Sequence, residues 1–499
     1  MPSSSSVPVS PGWTVLAVCT AALILPLSFS GGAVATPAIG RDLGGGAQAL
    51  GWITNAFMLS FGSLLMAAGT LADAYGRKRL FVSGVALFAL VSVALALAPT
   101  VAWLDGLRAL QGAGAAAALA GGSASLAHAC PGPARTRAFG LLGASFGAGL
   151  ALGPMLAGLL IDSLGWRSVF LSSAAVGALA LAVALPRMQE SRDPQAGPLD
   201  WAGSLTFTCA LALLTWGILE TPAARDASAL AWKLLAAAAL CLLAFVAIER
   251  RVRRPMLDLA LLRYPRFVGV QMLPVATCYC YVVLLVLLPI RFIGIEGRGE
   301  AGAGLAMAAL SAPLLFMPAV AVWTTRWMSA GRSCALGLLA AALGLYWLSR
   351  IGVAQPAQAA LWPMLLIGAG TGLPWGLMDG LSMSVAPPER AGMAAGIFST
   401  TRVAGEGIAL ASVNALLTLL VAHRLGADPG AAAQYLAAGD MAQALAHLPG
   451  AGPALLRQAY DEAFRQLLHA LIAITLACAA VVALFLDAPR SQTLQARVP

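Results

Sequence analysis

Fourteen long apolar runs divide the chain, and each is long enough to cross a lipid bilayer as a helix. A hydrocarbon core of about 30 Å needs roughly 20 apolar residues per helix. Short connectors, several of them rich in Pro and Gly, separate neighbouring runs. The runs lie at 13–39, 50–71, 79–98, 101–128, 136–162, 166–186, 200–220, 230–249, 267–293, 302–324, 333–350, 358–384, 392–421 and 464–486. The sequence therefore predicts an all-α integral membrane protein with 14 transmembrane helices.

The composition excludes two other classes of protein. Only 10% of the 499 residues are charged, whereas a soluble domain has about 25%, so there is too little charge to coat soluble domains. The net charge of +9 could suggest a nucleic-acid-binding protein, but the basic residues form short clusters between apolar runs. A nucleic-acid-binding face would carry them as a continuous patch or stripe. We expect the lipid bilayer as the surrounding partner, and no nucleic acid.

Basic residues also indicate how the chain lies in the membrane. With the amino terminus in the cytoplasm, most basic residues of the short loops fall on the cytoplasmic side, as the positive-inside rule requires. An even number of spans returns the carboxyl terminus to that side. We expect a multi-pass protein of the inner cell membrane with both termini cytoplasmic. This count leaves Arg108 and Arg402 inside spans.

The order of the runs indicates two six-helix halves. A cytoplasmic tail (1–12) precedes the amino-terminal half (13–186), a linker (187–266) contains two extra helices, and the carboxyl-terminal half (267–486) precedes a second tail (487–499). A weak repeat supports the division, because Gly-Arg recurs after the second and tenth runs, at Gly76-Arg77 and Gly331-Arg332. Paired repeats are typical of secondary transporters. Residues 422–463 form the long outer loop, whose spacing predicts a short helical hairpin, with a mobile cap as the alternative.

The loop after the second run, Gly69 to Arg79, combines an acid, basic residues and glycines. Asp73 lies four residues before Arg77, the favourable order for a helical ion pair, and Gly69 and Gly76 permit close approach and a tight turn. Such a loop can exchange charge contacts between two conformations and act as a latch. The alternative is an anchor in which Arg77, Lys78 and Arg79 only orient the protein.

Three motifs in order carry a resemblance to a known family. The segment GTLADAYGRKR (69–79) closely resembles the cytoplasmic loop signature of the major facilitator superfamily. Arg108, Gln111 and Gly112 resemble its R-x-x-Q-G element, and the fifth run resembles its antiporter signature through Gly149, Gly153, Pro154 and Gly158. Further segments resemble the 14-helix drug:proton antiporter branch, namely 166–170, 200–201 and 254–259.

The resemblance implies a fold and a function. The fold consists of two six-helix halves and two extra central helices. The two halves rock around a midplane cavity. The function is export of a lipophilic or amphipathic, drug-like compound against inward proton flow. We expect the protein to be a monomer and to need no cofactor. One alternative is a symporter or exporter of one specific metabolite. Another is a sensor or enzyme, although the four histidines form no metal-ligand pattern and we expect no metal site and no enzymatic activity.

Arg108 is a basic residue deep inside the fourth run. A charge within a membrane span is costly and by default indicates function. Gln111, three residues on, shares its helix face. The resemblance implies that Arg108 takes part in proton coupling. The alternatives are hydrogen bonds to neighbouring helix carbonyls or an ion pair with Asp105.

The fifth run carries small residues at every fourth position. Gly149, Gly153 and Ala157 form a stripe that allows another helix to approach closely. Pro154 frees a backbone carbonyl and bends the helix. The resemblance adds the direction of transport, export by antiport.

The first run departs from the branch, which carries an aspartate in its middle. Ser28 occupies that position, so the usual carboxylate is missing. Asp379, Arg402 and Glu406 in the twelfth and thirteenth runs are candidate replacements, because burial disfavours the charged form of a carboxyl group and lets it carry a proton. The alternative is a structural triad in which both acids neutralise Arg402. Other polar residues that could line a cavity are Asn55, Gln111, Gln271, Tyr279 and Asn414, although isolated amides often join helices instead.

Overall fold

The computed structural model describes residues 11–192, 200–221, 227–252, 261, 263–353, 355, 357–385, 391–426, 431–448 and 450–486. Both predicted tails lie outside the described residues, except for residues 11 and 12. The segment 254–259, which contributes to the family resemblance, lies outside them as well.

The described residues form fourteen helices of at least 20 residues. They are α1 (Pro11–Leu43), α2 (Ala47–Tyr75), α3 (Arg77–Ala96), α4 (Val101–Ala129), α5 (Pro133–Leu164), α6 (Arg167–Arg187), α7 (Trp201–Glu220), α8 (Ala227–Glu249), α9 (Pro265–Ile295), α10 (Glu300–Thr324), α11 (Ala330–Ser349), α12 (Leu361–Ser384), α13 (Ala391–Leu425) and α14 (Pro453–Leu486). The predicted all-α membrane fold is confirmed. We call the end of the bundle at which α1 begins the inner end, and the opposite end the outer end.

Thirteen of these helices are long and apolar enough to cross a membrane, and α4 is the exception. Its sequence contains Asp105, Arg108 and Gln111 together with many Gly and Ala residues, which lower its hydropathy. This helix packs against α1, α2 and α3 inside the amino-terminal half. Because neighbouring helices cover its polar face, α4 can span the bundle without a strongly apolar surface.

The outer loop differs from its predicted bounds. α13 continues to Leu425, and α14 begins at Pro453, eleven residues before the apolar run. Leu456, Tyr460 and Ala463 are buried at helical spacing in this first part of α14, so an amphipathic surface extends the helix beyond its membrane-spanning part. The shorter connection contains two short helices, Ala432–Ala437 and Met441–His447.

The two extra helices stand beside the bundle. α7 packs against α2 and α13, whereas α8 packs mainly against α7. Large apolar side chains of α8 are exposed in the structure, including Trp232 and Leu240. In a membrane such a surface faces the lipid hydrocarbon.

The two six-helix halves contact each other along closely packed helix pairs. α2 meets α13, and α5 meets α10 and α12. At Gly62 of α2, an added Cβ atom would lie 2.6 Å from the Cα atom of Ala404 on α13. α9, at the centre of the carboxyl-terminal half, contains two π-helical segments, Cys278–Val282 and Ile290–Ile295. Such distortions of α-helices are frequent at functional sites.

Candidate transport site

Arg108 lies completely buried among α1, α2 and α4. Its Nε atom donates to the Ile53 carbonyl at 2.8 Å, and its Nη1 atom donates to Gln111 Oε1 at 2.5 Å and Ser28 Oγ at 3.3 Å. The guanidinium also stacks 4.3 Å from the centre of the Phe57 ring. The structure thus brings together the predicted residues Ser28, Arg108 and Gln111. It shows the hydrogen bond to a helix carbonyl that was one of the alternatives.

Gln111 extends this network in a direction that the sequence did not indicate. Its Nε2 atom donates to Ser92 Oγ at 2.7 Å, and the Ser92 hydroxyl donates to the Phe88 carbonyl at 2.7 Å. Ser92 is a small polar residue in an otherwise apolar run, which is a weak signal in a sequence. The network fixes the orientation of the Gln111 amide, which presents its oxygen to Arg108.

A second cluster lies where the two halves meet, nearer the inner end. Arg402 Nη1 lies 3.3 Å from Asp379 Oδ1, so these two candidate residues lie at similar depth. The guanidinium lies 4.8 Å from the Phe146 ring centre and 5.8 Å from that of Trp375. These two rings stack across the interface, since Phe146 belongs to α5 and Trp375 to α12.

Gly143 on α5 makes room for the acid of this cluster. A Cβ atom added at Gly143 would lie 3.1 Å from Asp379 Oδ2. Asp379 is therefore in contact with the opposite half, while its salt bridge with Arg402 is within its own half. Movement of the halves would change the surroundings of this ion pair.

Glu406 is the most isolated acid of the site. It is 3% exposed, and its Oε1 atom has no hydrogen-bond partner. Although it lies four residues after Arg402, the ion pairs among the described residues include Arg402 with Asp379 but not with Glu406. In place of the structural triad, which was the alternative, the structure has one ion pair and a buried carboxyl group one helical turn from Arg402. The Arg402 Nε atom also lacks a partner.

The remaining predicted cavity residues occupy separate places. Asn414 lines a cavity of about 110 Å³ near the outer end, and Tyr279 lines another of about 310 Å³ beside α7. Asn55 donates to the Gly51 carbonyl of its own helix, while its Oδ1 atom has no partner. Gln271 is buried with neither amide atom bonded. One midplane cavity lined by all of them is not present among the described residues.

The predicted loop Gly69 to Arg79 is mostly helical, because α2 ends at Tyr75 and α3 begins at Arg77. Its predicted ion pair is present, with Arg77 Nη2 2.8 Å from Asp73 Oδ1. Glu190, which sequence reasoning missed, accepts from the backbone N–H groups of Lys78 and Arg79, each at 3.1 Å. Gly76 has a φ of 123°, a conformation that favours glycine. The first turn of α3 is therefore capped by an acid from the segment after α6.

Comparison with known proteins identifies the family. The sequence profile of the Major Facilitator Superfamily matches residues 16–410. The chain belongs to the Major Facilitator Superfamily. It is 33% identical to the multidrug resistance protein Stp of Mycobacterium tuberculosis over 386 residues, which cover 77% of this chain and 72% of that protein.

Other members of the superfamily agree in length and fold. The cephamycin export protein CmcT of Amycolatopsis lactamdurans is 32% identical over 84% of this chain and 86% of its own. The tetracenomycin C resistance and export protein of Streptomyces glaucescens is 28% identical over 83% of this chain and 76% of its own. Among solved structures, a bacterial homologue of the human lysosomal transporter Spinster superposes with a TM-score of 0.65 at 17% identity, covering 98% of this chain and all of that chain. This likeness shows the fold, and the protein is a multi-pass membrane protein of a family of small-molecule transporters.

The residues of α5 that resemble the superfamily's antiporter signature contact two other helices. An added Cβ at Gly149 would clash with the Leu23 carbonyl of α1, and one at Gly153 would clash with Ser30. Gly158 instead faces the opposite half, where an added Cβ would lie 2.6 Å from the Glu300 carbonyl of α10. Small residues thus allow α5 to approach both a helix of its own half and one of the other. Pro154 lies between these contacts, inside the helix.

One prediction about a single residue was wrong. Gly69 makes no close approach, because no described atom lies within 4 Å of an added Cβ.

Arg291 lies near the outer end of α9, within the ninth apolar run. It is 3% exposed, pairs with Glu296 at 2.9 Å and donates to the Ile351 carbonyl at 3.0 Å. Asp461 of α14 lies 3.8 Å from its Nη2 atom.

Proposed function

We propose that this protein exports a lipophilic or amphipathic, drug-like compound in exchange for protons by alternating access of its two halves. The observation that carries the proposal is Glu406, a buried carboxyl group without a hydrogen-bond partner for Oε1 on a helix that contacts the opposite half. The names of the relatives, which include drug resistance and antibiotic export proteins, support the direction and the class of substrate.

The location in the cell follows from the same proposal. The protein spans the inner cell membrane with both termini in the cytoplasm and works as a monomer, without nucleic acid. The distribution of basic residues supports this orientation. The inner end of the bundle then faces the cytoplasm, and the short helices between α13 and α14 cover the outer face.

Glu406 carries the proton in this mechanism. A carboxyl group buried among apolar side chains is favoured in its neutral form. When it loses its proton to water, its charge attracts Arg402, which lies one helical turn away and is held by Asp379. Competition between two acids for one guanidinium changes the contact of Asp379 with α5. Loss of the proton therefore affects the interface between the halves. Arg108, in the amino-terminal half, holds a fixed positive charge that contributes to the coupling.

The segment Gly69 to Lys78, which includes the junction of α2 and α3, acts as a conformational latch at the inner end. In this structure Arg77 contacts Asp73 within the amino-terminal half, and the α3 amides contact Glu190 at the start of the linker, so none of these described contacts reaches the carboxyl-terminal half. Opening of the inner end exchanges such charge contacts for others, which is how a latch favours one of two states.

Neutral isosteres of the two acids test the mechanism. In everted membrane vesicles, which take up exported compounds, Glu406→Gln and Asp379→Asn should each reduce proton-driven uptake to the level of empty vesicles. Asp162→Asn, which neutralises an exposed acid on α5, serves as the matched control and should transport normally. Circular dichroism and thermal unfolding in detergent check that the variants fold. Normal uptake by both the Gln and Asn variants would contradict the proton-carrier role.

The direction of transport is tested separately. A panel of antibiotics and lipophilic compounds is screened against cells that overexpress the protein, with and without a protonophore. Export predicts lower accumulation that the protonophore reverses. Higher accumulation of one compound would instead support the alternative, a symporter of a specific metabolite.

A further inference from the structure

Arg108 forms no ion pair with a described acid. The residue is 0% exposed, and arginine keeps its charge in proteins. Three hydrogen bonds and the Phe57 ring solvate part of the guanidinium. Its Nη2 atom has no hydrogen-bond partner. An uncompensated charge at this depth is costly, so a function is expected to maintain it.

Ser28 explains why the charge is free. Its hydroxyl lies 3.3 Å from Arg108 Nη1, where a carboxylate would form a salt bridge. A serine supplies one neutral acceptor and no negative charge. Asp105, one turn outward on α4, is near but forms no ion pair with Arg108, and its Oδ1 atom is itself without a partner. The guanidinium therefore has neutral acceptors only and no acidic side chain within ion-pair distance.

The unpartnered nitrogen of Arg108 packs against a glycine, one helical turn from the outer cavity. Gly32 of α1 has no side chain, and a Cβ atom there would lie 3.1 Å from Arg108 Nη2. One turn outward, the hydroxyl of Thr36 donates to the Gly32 carbonyl at 2.9 Å, and Thr36 lines the outer cavity of about 110 Å³. On α2, Thr54 lines the same cavity next to Ile53, whose carbonyl accepts from Arg108. The cavity also has Asn414 and Thr418 on its wall.

We propose that the exported compound carries an acidic group and that Arg108 binds this group through Nη2, beside Gly32, with the rest of the compound directed to the outer cavity. The proposal rests on the proposed export function and names its substrate class, an amphipathic carboxylate. α1 and α2, which enclose Arg108, are also the helices that contact α9 and α13 of the opposite half. Separation of the halves therefore opens the side of the site from which the ligand enters. Charge-assisted hydrogen bonds to a carboxylate favour the acid over a neutral analogue by about tenfold or more.

Binding measurements on the purified full-length protein in lipid nanodiscs test the proposal. The probes are pyrenebutyrate, its methyl ester and pyrenebutylamine, which share one apolar body and differ in charge. The wild type should bind the acid at least about tenfold more tightly than the ester or the amine. Equal binding of acid and ester, or no binding of the acid, overturns the proposal. Displacement of the acid by millimolar chloride also overturns it, because the site would then hold an inorganic ion.

Two substitutions of similar shape isolate the effect of charge. Ser28→Asp supplies Arg108 with a carboxylate from the chain, whereas Ser28→Asn introduces a side chain of the same size without charge. Ser28→Asp should weaken binding of pyrenebutyrate at least about tenfold more than Ser28→Asn does. Equal affinities of the two variants contradict the proposal. Because Asp beside a buried Arg gains an ion pair, the Asp variant is expected to fold.

Transport of the same probes separates this inference from the export function. In everted vesicles, proton-driven uptake of the ester or amine without uptake of the acid would leave export standing and overturn the anion site. Tight, Ser28-dependent binding of the acid without proton-driven uptake of any probe would support the site and contradict proton-coupled export.

Discussion

Arg108 and Arg402 are both buried guanidinium groups over aromatic rings, but their charges are balanced differently. Arg402 has Asp379 within 3.3 Å, so the ion pair adds no net charge to the interface. Arg108 has only neutral acceptors, the Ile53 carbonyl and the side chains of Ser28 and Gln111. Removal of one partner of a buried ion pair leaves the other charge uncompensated. This is strongly unfavourable unless another group takes the place of the missing partner. At the scale of single residues, this difference separates a balanced ion pair from a buried guanidinium that we propose to bind an anion.

Gly62 provides a residue-scale test of how closely the halves must approach. A Cβ atom there would lie 2.6 Å from the Ala404 Cα atom and 2.7 Å from its nitrogen, and backbone atoms cannot yield as a side chain can. Gly62→Ala should therefore disfavour this packed state by about 1–3 kcal/mol and slow transport in everted vesicles about tenfold or more. Spin-label distances between α2 and α13 should increase.

The matched control for this substitution is Gly302→Ala on α10. Both glycines are helical, so both gain helix propensity on replacement, but no atom lies within 4 Å of a Cβ at Gly302. The control should transport as the wild type does. Equal transport rates for the two alanine variants would show that the contact of α2 with α13 does not limit the rate of transport.

At the scale of elements, α3 depends on a residue from a distant part of the chain. Its amino terminus follows directly on Gly76, and the orphan N–H groups of Lys78 and Arg79 donate to Glu190, which lies 112 and 111 residues later. A carboxylate at this position satisfies donors and opposes the positive end of the helix dipole. In the same segment, the Ser191 carbonyl accepts a hydrogen bond from the backbone N–H of Arg77 at 2.9 Å. The start of α3 is thus fixed to the end of α6.

Removal of this cap should destabilise the protein in a graded way. Glu190→Ala removes both acceptor oxygens and should reduce stability by about 1 kcal/mol, whereas Glu190→Gln keeps an acceptor and should lose less. Thermal unfolding midpoints in one detergent should fall in the order wild type, Gln variant, Ala variant. An Ala variant as stable as the wild type would mean that water replaces the cap without loss.

The elements were largely predictable from the sequence, because each apolar run contains its own helical signal. One exception has a local physical cause. α14 begins eleven residues early because an amphipathic stretch precedes its apolar run. The residues of the Arg108 cluster were predictable because charge and amides are rare in membrane spans. Its contact with Ile53, and the cap by Glu190, were not predictable, since they depend on how separate helices pack.

At the scale of the whole molecule, the two halves touch at both ends of the bundle. At the outer end Arg41 of α1 pairs with Glu300 of α10, 259 residues apart in the chain. Gly158 and Gly304 allow α5 and α10 to approach there, with an added Cβ at either one within 3.2 Å of the other's Cα atom. At the inner end Asp379 lies against Gly143. Rocking of the halves must break one set of these contacts while it keeps the other.

A covalent link across the outer end should therefore arrest transport. Arg41→Cys and Glu300→Cys are combined in a variant without the eight native cysteines, and a short dithiol-reactive reagent joins them. Because α1 and α10 belong to different halves, the link should reduce proton-driven uptake to background, and reduction of a cleavable linker should restore it. The control pair, Asp42→Cys with Arg167→Cys, replaces a second outer ion pair, 2.6 Å in length, whose partners both belong to the amino-terminal half. Cross-linking of that pair should leave uptake unchanged, since the half moves as one body. If both links stopped transport equally, or neither did, separation of the halves at the outer end would not be the movement that carries the substrate.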